Sequence, residues 1–565
     1  MTKLANDPEK FAQDALEGFA DAFNQWVKPV YGGVVRSTRV EDGKVAVIVG
    51  GGSGHYPAFA GWVGPGFADG AVAGNVFSSP SAAQAYSVAK AADRGAGILI
   101  GFGNYAGDVL HFGQAVERLR SEGIDARTLA VTDDIASGDP DEYLKRRGIA
   151  GDLPVFKVTA AAAEAGLSID EVEAVFDKVN ERTRSFGVAF SGCTLPGADE
   201  PLFSLESGTM GIGLGIHGEP GVDDAPLGTA DDVAKVLVEG LLNDKPNNPG
   251  SRVIALVNGL GATKYEELFV LYRDIASRLR EAGLEIVEGE VDEFVTSLDM
   301  AGVSLTLVWL DDEIEKFWFE PCDTPAYRKG TMERPEADTR ELAVEPEPVT
   351  VTEKGSDESR KVAQRITEIL SSIADLMAEK ETELGKIDSV AGDGDHGVGM
   401  ARGSAAAAKQ ARQLVDDGAG AATAMAGAGD AWSASAGGTS GALWGALLTA
   451  FGRELGDTEP VDADTVNRAM KAALEAVMRL GGAEVGDKTM IDALAPAVDV
   501  LARGEAASRW TDAASAAREG ADKTKNIVAK VGRARPLGEK SLGTPDAGAT
   551  SLAMIVDLVA KAIDA

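Results

Sequence analysis

Hydrophobic positions follow two different periods along this chain, and the change falls near residue 360. Before it, short β-branched runs recur between alanine-rich helical stretches, at Val45–Val49, Gly97–Ile100, Thr128–Val131, Val253–Val257 and Val303–Trp309. That alternation predicts an α/β fold with a mainly parallel sheet. After it, Val362, Ile366, Ile369, Leu370, Ile373, Leu376 and Met377 repeat at the spacing of one helix face, behind Ser356 and Asp357 as caps. Further helical stretches are predicted at Ser404–Val415, at Ala463–Leu480, at Ala514–Val531 and through Leu552, Ile555, Val559 and Ile563. No strand-like run interrupts them convincingly, so the second part is predicted all-α. Between the two lies Thr331–Arg360, rich in Glu and Pro, with almost nothing to anchor it to a core. The domain reading is 1–330, a linker at 331–357, and 358–565.

Composition narrows the partners. A formal charge of −35 repels a phosphate backbone and an anionic membrane surface alike, which argues against nucleic acid and lipid as ligands. No apolar run approaches the roughly 18 residues of a membrane span. Two cysteines, Cys193 and Cys322, cannot frame a chain of 565 residues with disulfides, and Met1–Phe11 has no signal-like apolar stretch. A cytoplasmic protein is expected. The 68 glycines far exceed the usual ~7%, and they cluster where chemistry could sit.

Three of the four histidines lie in glycine-dense segments. Val49–Phe59 (VGGGSGHYPAF) follows a strand-like run and puts His55 at a strand's carboxyl end, where open α/β sheets bind ligands. It lacks the spacing and the lysine of a Walker A loop. Gly101–Asp108 (GFGNYAGD) follows another such run, so Asp108 is placed to enter the same crevice or to cap a helix. Gly211–Gly221 (GIGLGIHGEPG) holds His217 in a loop, where a neutral imidazole can act as a nucleophile on a carbonyl. Beyond the linker, Lys386–Gly397 (KIDSVAGDGDHG) crowds Asp388, Asp393 and Asp395 together, a costly cluster unless a hard cation such as Mg²⁺ neutralises it, a solvated acidic turn being the alternative. The positions after Asp393 do not fit an EF-hand. Gly437–Gly441 (GGTSG) offers N–H groups and hydroxyls to phosphate oxygens, and Gly486–Leu494 (GDKTMIDAL), Arg533 and Asp546–Gly548 follow.

Together, in order and over nearly the whole chain, these segments resemble the single-chain, ATP-dependent dihydroxyacetone kinases. The resemblance implies an N-terminal ketose-binding domain of two α/β lobes, a C-terminal barrel of antiparallel helices that binds ATP, and a homodimer. It implies that His217 holds the ketose covalently as a hemiaminal, that His55 and Asp108 assist deprotonation of the reacting hydroxyl, and that Gly52, Ser53, Gly54 and Gly103 line the ketose site. Asp388, Asp393 and Asp395 match the ligands of two Mg²⁺ ions. His396, Gly399, Gly438, Thr439, Ser440, Gly481, Met490, Arg533, Asp546, Ala547 and Gly548 fall in the ATP-contacting segments.

Two departures bear on the substrate. Where the family usually reads GHEPAH, this chain has GHYPAF with Tyr56 and Phe59; where it usually has Lys-Asn-Tyr, this chain has Gly103-Asn104-Tyr105. Loss of that lysine is expected to leave a lysine-sized space and one fewer donor, a pattern closer to the erythrulose kinases of the family. A strict dihydroxyacetone kinase is the alternative. A non-catalytic ketose sensor, a phosphotransfer-system subunit and a fatty-acid kinase are further rivals. They are opposed respectively by the aspartate triplet, by the fusion of both domains, and by the domain order with its ketose histidine.

Overall fold

The computed structural model describes residues 4–219, 221–333, 335–340, 342, 349–351, 353–392, 394–503, 509–532 and 539–564. The chain divides into two compact units, Met1–Pro346 and Glu347–Ala565.

The first unit holds two six-stranded sheets. One is built from β1 (Val27–Val30), β2 (Gly33–Arg36), β3 (Ala46–Ser53), β4 (Gly70–Val76), β5 (Ile98–Gly103) and β6 (Ala126–Val131), in the order β1-β2-β4-β3-β5-β6. Its β4-β3-β5-β6 portion is parallel, as the alternation of strands and helices predicts. The other comprises β7 (Thr183–Ala189), β8 (Thr209–Ile212), β9 (Asp223–Pro226), β10 (Arg252–Gly259), β11 (Glu285–Asp292) and β12 (Gly302–Trp309), in the order β11-β10-β12-β7-β8-β9. Here only β10 and β11 pair in parallel, which corrects the expectation of a mainly parallel sheet for this lobe. Short connections, such as the one between β8 and β9, reverse the chain without a crossover helix and therefore yield antiparallel pairs. The helix Asp152–Glu164 is apolar nearly all round and buried along almost its whole length, packing against β3, β5 and the helix Asp312–Phe319.

The predicted linker is partly strapped down. Asp338 N–H donates to the Ser37 carbonyl at 2.7 Å, Arg39 N–H to the Glu336 carbonyl at 2.6 Å, and Lys28 Nζ to the Asp338 carbonyl at 2.6 Å. Leu342 packs on the first sheet's core. Backbone groups, the Asp338 carboxylate paired with Lys28 and Arg94, and one leucine thus tie down a segment whose composition offers little to a core.

The second unit has eight α-helices among its described residues: Asp357–Asp388, His396–Asp416, Ala421–Ala436, Gly438–Leu455, Ala463–Gly481, Ile491–Arg503, Arg509–Lys523 and Ala547–Asp564. Ser356 caps the first, its hydroxyl accepting from Ser359 N–H at 3.1 Å. Each helix packs against the next and the last packs against the first, closing a barrel around Met377, Leu384, Met400, Trp432, Trp444 and Leu494. The helix predicted over Ala514–Val531 stops at Lys523, because the carbonyls of Thr524 and Ile527 turn toward the Lys488 ammonium instead of continuing the ladder. Among the described residues no helix is long and apolar enough to cross a membrane.

Candidate active site

In the first unit the glycine-rich end of β3 delivers His55. Gly54 takes φ +102°, and a Cβ there would stand 2.8 Å from the Phe77 ring. That close approach lets Phe77 stack on His55, with ring centres 5.0 Å apart. Gly52 backs onto the Phe77–Ser78 backbone, and the Ser53 hydroxyl donates to the Gly74 carbonyl at 2.6 Å, so Ser53 is held by the fold.

His217 comes from the other lobe, in the loop between β8 and β9, and its Nε2 lies 3.0 Å from His55 Nε2. The outer nitrogens are both committed. His55 Nδ1 is 2.7 Å from the Thr296 carbonyl, which can only accept, and His217 Nδ1 is 3.0 Å from Glu219 Oε1. Both rings therefore carry a proton on Nδ1, and the facing Nε2 atoms present their lone pairs to each other. Glu219 also accepts from His217 N–H at 3.0 Å, and Gly215 leaves the room in which Glu219 and Arg147 approach. Burial, followed by the charge of His217, lowers the His55 imidazole to about 3, so His55 is neutral at working pH.

Tyr105 packs edge-on to His217 at 4.6 Å between ring centres, and its hydroxyl is enclosed without a hydrogen-bond partner among the described residues. It caps the helix Ala106–Ser121, placing Asp108 buried in the first turn rather than at the cap. Asp108 joins the group through Asp152, whose carboxyl its charge raises.

Gly103 does not open the expected lysine-sized space. A Cβ there would stand 3.1 Å from the Gly148 carbonyl, 3.3 Å from the Tyr105 ring and 3.4 Å from Asp152 Oδ2. The ring of Tyr56 turns to Phe19 and that of Phe59 to Trp62. A cavity of about 290 Å³ lined by Phe190, Thr194, Phe203 and Asp299 adjoins the His217 loop without touching any predicted site residue.

In the second unit the predicted residues gather at one end of the barrel. Neighbouring helices in a closed ring joined mostly by short connections alternate in direction, so the ends of odd helices and the starts of even ones meet. Asp388 ends the first helix and Asp395 with His396 begins the second; Gly438, Thr439 and Ser440 begin the fourth; Gly481 ends the fifth; Met490 precedes the sixth; Asp546, Ala547 and Gly548 begin the eighth. His396 ties three of these together, its Nε2 2.9 Å from Ser551 Oγ and its Nδ1 3.3 Å from Ser440 Oγ. A Cβ on Gly548 would stand 3.5 Å from Met490, while Gly399 faces open space near the Ala436 carbonyl. The starts of the even helices bring backbone N–H groups and positive dipole ends to this rim, where phosphates are favoured.

Asp388 accepts from Gly394 N–H at 2.8 Å. Burial, then the charges of Asp388 and Asp492, push the Asp546 carboxyl up to about 7. Such mutual repulsion among hard oxygen donors suits Mg²⁺. Asp393 and Arg533 lie outside the described residues, and among those described no three ligating side chains stand close enough to hold an ion.

The Dak1 domain family matches residues 17–326, and the DAK2 domain family matches residues 390–561. The chain belongs to the dihydroxyacetone kinase family. It is 54% identical to the L-erythrulose 1-kinase of Mycolicibacterium smegmatis over 98% of both chains, and 52% identical to the D-erythrulose kinase of the same organism over 100% of this chain and 99% of that one. Among solved structures it is similar to the dihydroxyacetone kinase of C. freundii in complex with AMP-PNP and Mg²⁺, at 30% identity and a TM-score of 0.53 over 99% of both chains.

Several residues of this kinase's sites escaped sequence reasoning. Glu219 and Lys488 stood inside quoted motifs without a role. Lys488 is buried, and its Nζ donates to the carbonyls of Thr524, Ile527, Ser541 and Thr544 at 2.5–3.2 Å, holding the strand of chain that leads to Asp546. Thr296 and Ser551 carry no sequence signal, since a backbone carbonyl and a lone serine acquire meaning only from what faces them.

Proposed function

We propose that this kinase transfers the terminal phosphoryl group of ATP to a primary hydroxyl of a short-chain ketose, with erythrulose preferred and dihydroxyacetone also accepted. The observation that carries the reading is the His55–His217–Glu219 chain, joined to full-length similarity with kinases named for erythrulose. Glu219 holds the Nδ1 proton of His217, so the Nε2 lone pair is free to add to the ketose carbonyl carbon. As that N–C bond forms, the carbonyl π pair moves to oxygen, which takes a proton from solvent. The product is a hemiaminal whose imidazolium keeps its Nδ1–H on Glu219. Polyols lack the electrophilic carbon and cannot be captured this way.

Asp108 receives the proton of the hydroxyl that is phosphorylated. On the nucleotide side, Asp388, Asp393 and Asp395 would hold two Mg²⁺ ions, and the N–H groups at the starts of the fourth and eighth helices would orient the phosphates. Bound Mg²⁺ supplies neutralisation of the charge on the transferring phosphoryl group. The family resemblance also carries a homodimer, which sedimentation velocity checks.

Pure protein with ATP, Mg²⁺ and dihydroxyacetone, D-erythrulose or L-erythrulose tests the reading by ADP release without any added protein. One extra carbon unit with its hydroxyl is worth about 1–3 kcal/mol, so kcat/KM should favour one erythrulose over dihydroxyacetone by roughly 10- to 200-fold. A preference for dihydroxyacetone overturns the substrate, and no ADP from any ketose overturns the activity.

A further inference from the structure

Asp152 opens the buried helix Asp152–Glu164 and is itself 1% exposed, yet its Oδ1 has no hydrogen-bond partner among the described residues. A carboxyl enclosed in this way is costly unless something neutralises it or bonds to it. The charged groups that bear on it are Asp133 and Asp108, both acids, and Asp133 is already engaged by the backbone N–H groups of Ile149 at 2.9 Å and Gly151 at 2.8 Å. Burial and those two charges keep Asp152 protonated well above the usual carboxylate range, so it is a donor as well as an acceptor.

Its position is set by two glycines. Oδ1 lies 3.0 Å from where a Cβ on Gly148 would stand, and Oδ2 lies 3.4 Å from where one on Gly103 would stand. The other neighbour of that Gly103 direction is the Tyr105 ring, which in turn packs edge-on to His217. The carboxyl therefore sits beside Gly103, where the Tyr105 ring that packs on His217 also approaches, and within reach of the Asp108 charge.

We propose that Asp152 is a specificity-determining residue of the ketose site, its carboxyl exchanging hydrogen bonds with the additional hydroxyl that a four-carbon ketose presents and a three-carbon ketose lacks. This rests on the ketose-kinase reading above. A site built to bond a hydroxyl discriminates against the analogue without it, because its own buried group is then left unpaired. Gly103 contributes by withholding a side chain that would otherwise cover Oδ2.

The test is kcat/KM for erythrulose and dihydroxyacetone, side by side, in the wild-type chain, Asp152→Ala and Asp152→Asn, with thermal melting of each. Asp152→Ala should lower the erythrulose value by about 10- to 200-fold while dihydroxyacetone stays within about threefold. Asp152→Asn offers the same shape with one donor and one acceptor, and should keep the wild-type ratio within about threefold. Parallel losses on both ketoses, or an unchanged ratio in the alanine variant, overturn the proposal and leave Asp152 a residue of the fold. Should the alanine variant not fold, collapse of the ratio in the asparagine variant overturns it, and retention supports a neutral hydrogen-bonding carboxyl. A wild-type enzyme inactive on both ketoses would overturn the ketose reading itself, a result distinct from either.

Discussion

At His217 the chain itself supplies the groups that hold the ring: Glu219 on Nδ1, His55 at Nε2, and the Tyr105 and Phe77 rings set edge-on against it. At the rim of the helical barrel the arrangement is the reverse. Burial and the charges of Asp388 and Asp492 raise the Asp546 carboxyl, and among the described residues the cation that bears on it is Lys488, whose Nζ is spent on four backbone carbonyls. The first site is organised for a neutral, electrophilic substrate that must meet an oriented lone pair. The second is a set of anions that becomes favourable only when cations and phosphates arrive together. In the proposed function one chain keeps ketose capture and metal-dependent phosphate binding in separate units, each with the polarity its ligand requires.

That contrast can be broken most severely at His217. His217→Ala removes the nucleophile, and kcat/KM for any ketose should fall by about 10³-fold or more, the range lost with covalent and acid–base groups. AMP-PNP binding by calorimetry should be unchanged; a ketose kcat/KM within about tenfold of wild type would show that capture does not run through this ring.

Asp388→Asn attacks the other region. Losing one anionic ligand should cost several kcal/mol of phosphoryl-transfer stabilisation, about 10²- to 10⁴-fold in kcat, with ketose affinity retained. Activity near normal at limiting Mg²⁺ would make the acidic rim a solvated surface.

A milder change sharpens the comparison within the first site. Glu219→Gln keeps the shape but withdraws the charge that fixes the His217 tautomer and steadies its imidazolium, and ketose kcat/KM should fall about 10- to 100-fold, the usual effect of a group that orients a ligating or reacting histidine. Nucleotide affinity again serves as the control, and equal effects on both would locate the loss in folding instead.

The smallest expected effect is on stability against pH. His55 is held near 3 when folded against an ordinary 6.5, so its contribution is fully present above about 6.5 and is lost as pH falls through that window toward 3. Melting curves of the wild type and His55→Gln between pH 7 and about 4 should converge as acid is added. Parallel curves would mean that the ring is not held neutral.

Much of this was legible in residue order. The β-branched runs located five of the twelve strands of the two large sheets because a strand buried on both faces is continuously apolar. Edge and antiparallel strands such as Asp223–Pro226 and Glu285–Asp292 are half polar and leave no such mark. The glycine-dense segments located His55 and His217, since only glycine tolerates the φ of Gly54 and its approach to Phe77. The helices Ala421–Ala436 and Gly438–Leu455 were hidden by alanine and glycine content that blurs the apolar stripe.

Residue types and their local spacing therefore determined the two-part plan, the candidate nucleophile and the acidic rim, because those depend on chemistry carried within a few positions. What faces what was decided by the fold alone. His55 and His217 are 162 residues apart and meet at 3.0 Å because loops of two different sheets converge. Asp152 becomes a buried acid beside Gly103 because two glycine backbones nearly touch. Lys488 is held by backbone carbonyls rather than by carboxylates because the chain after Lys523 leaves the helix and wraps around its ammonium. Hydrogen bonding and burial are properties of three-dimensional neighbours, and a linear sequence names those neighbours only after the chain has closed on itself.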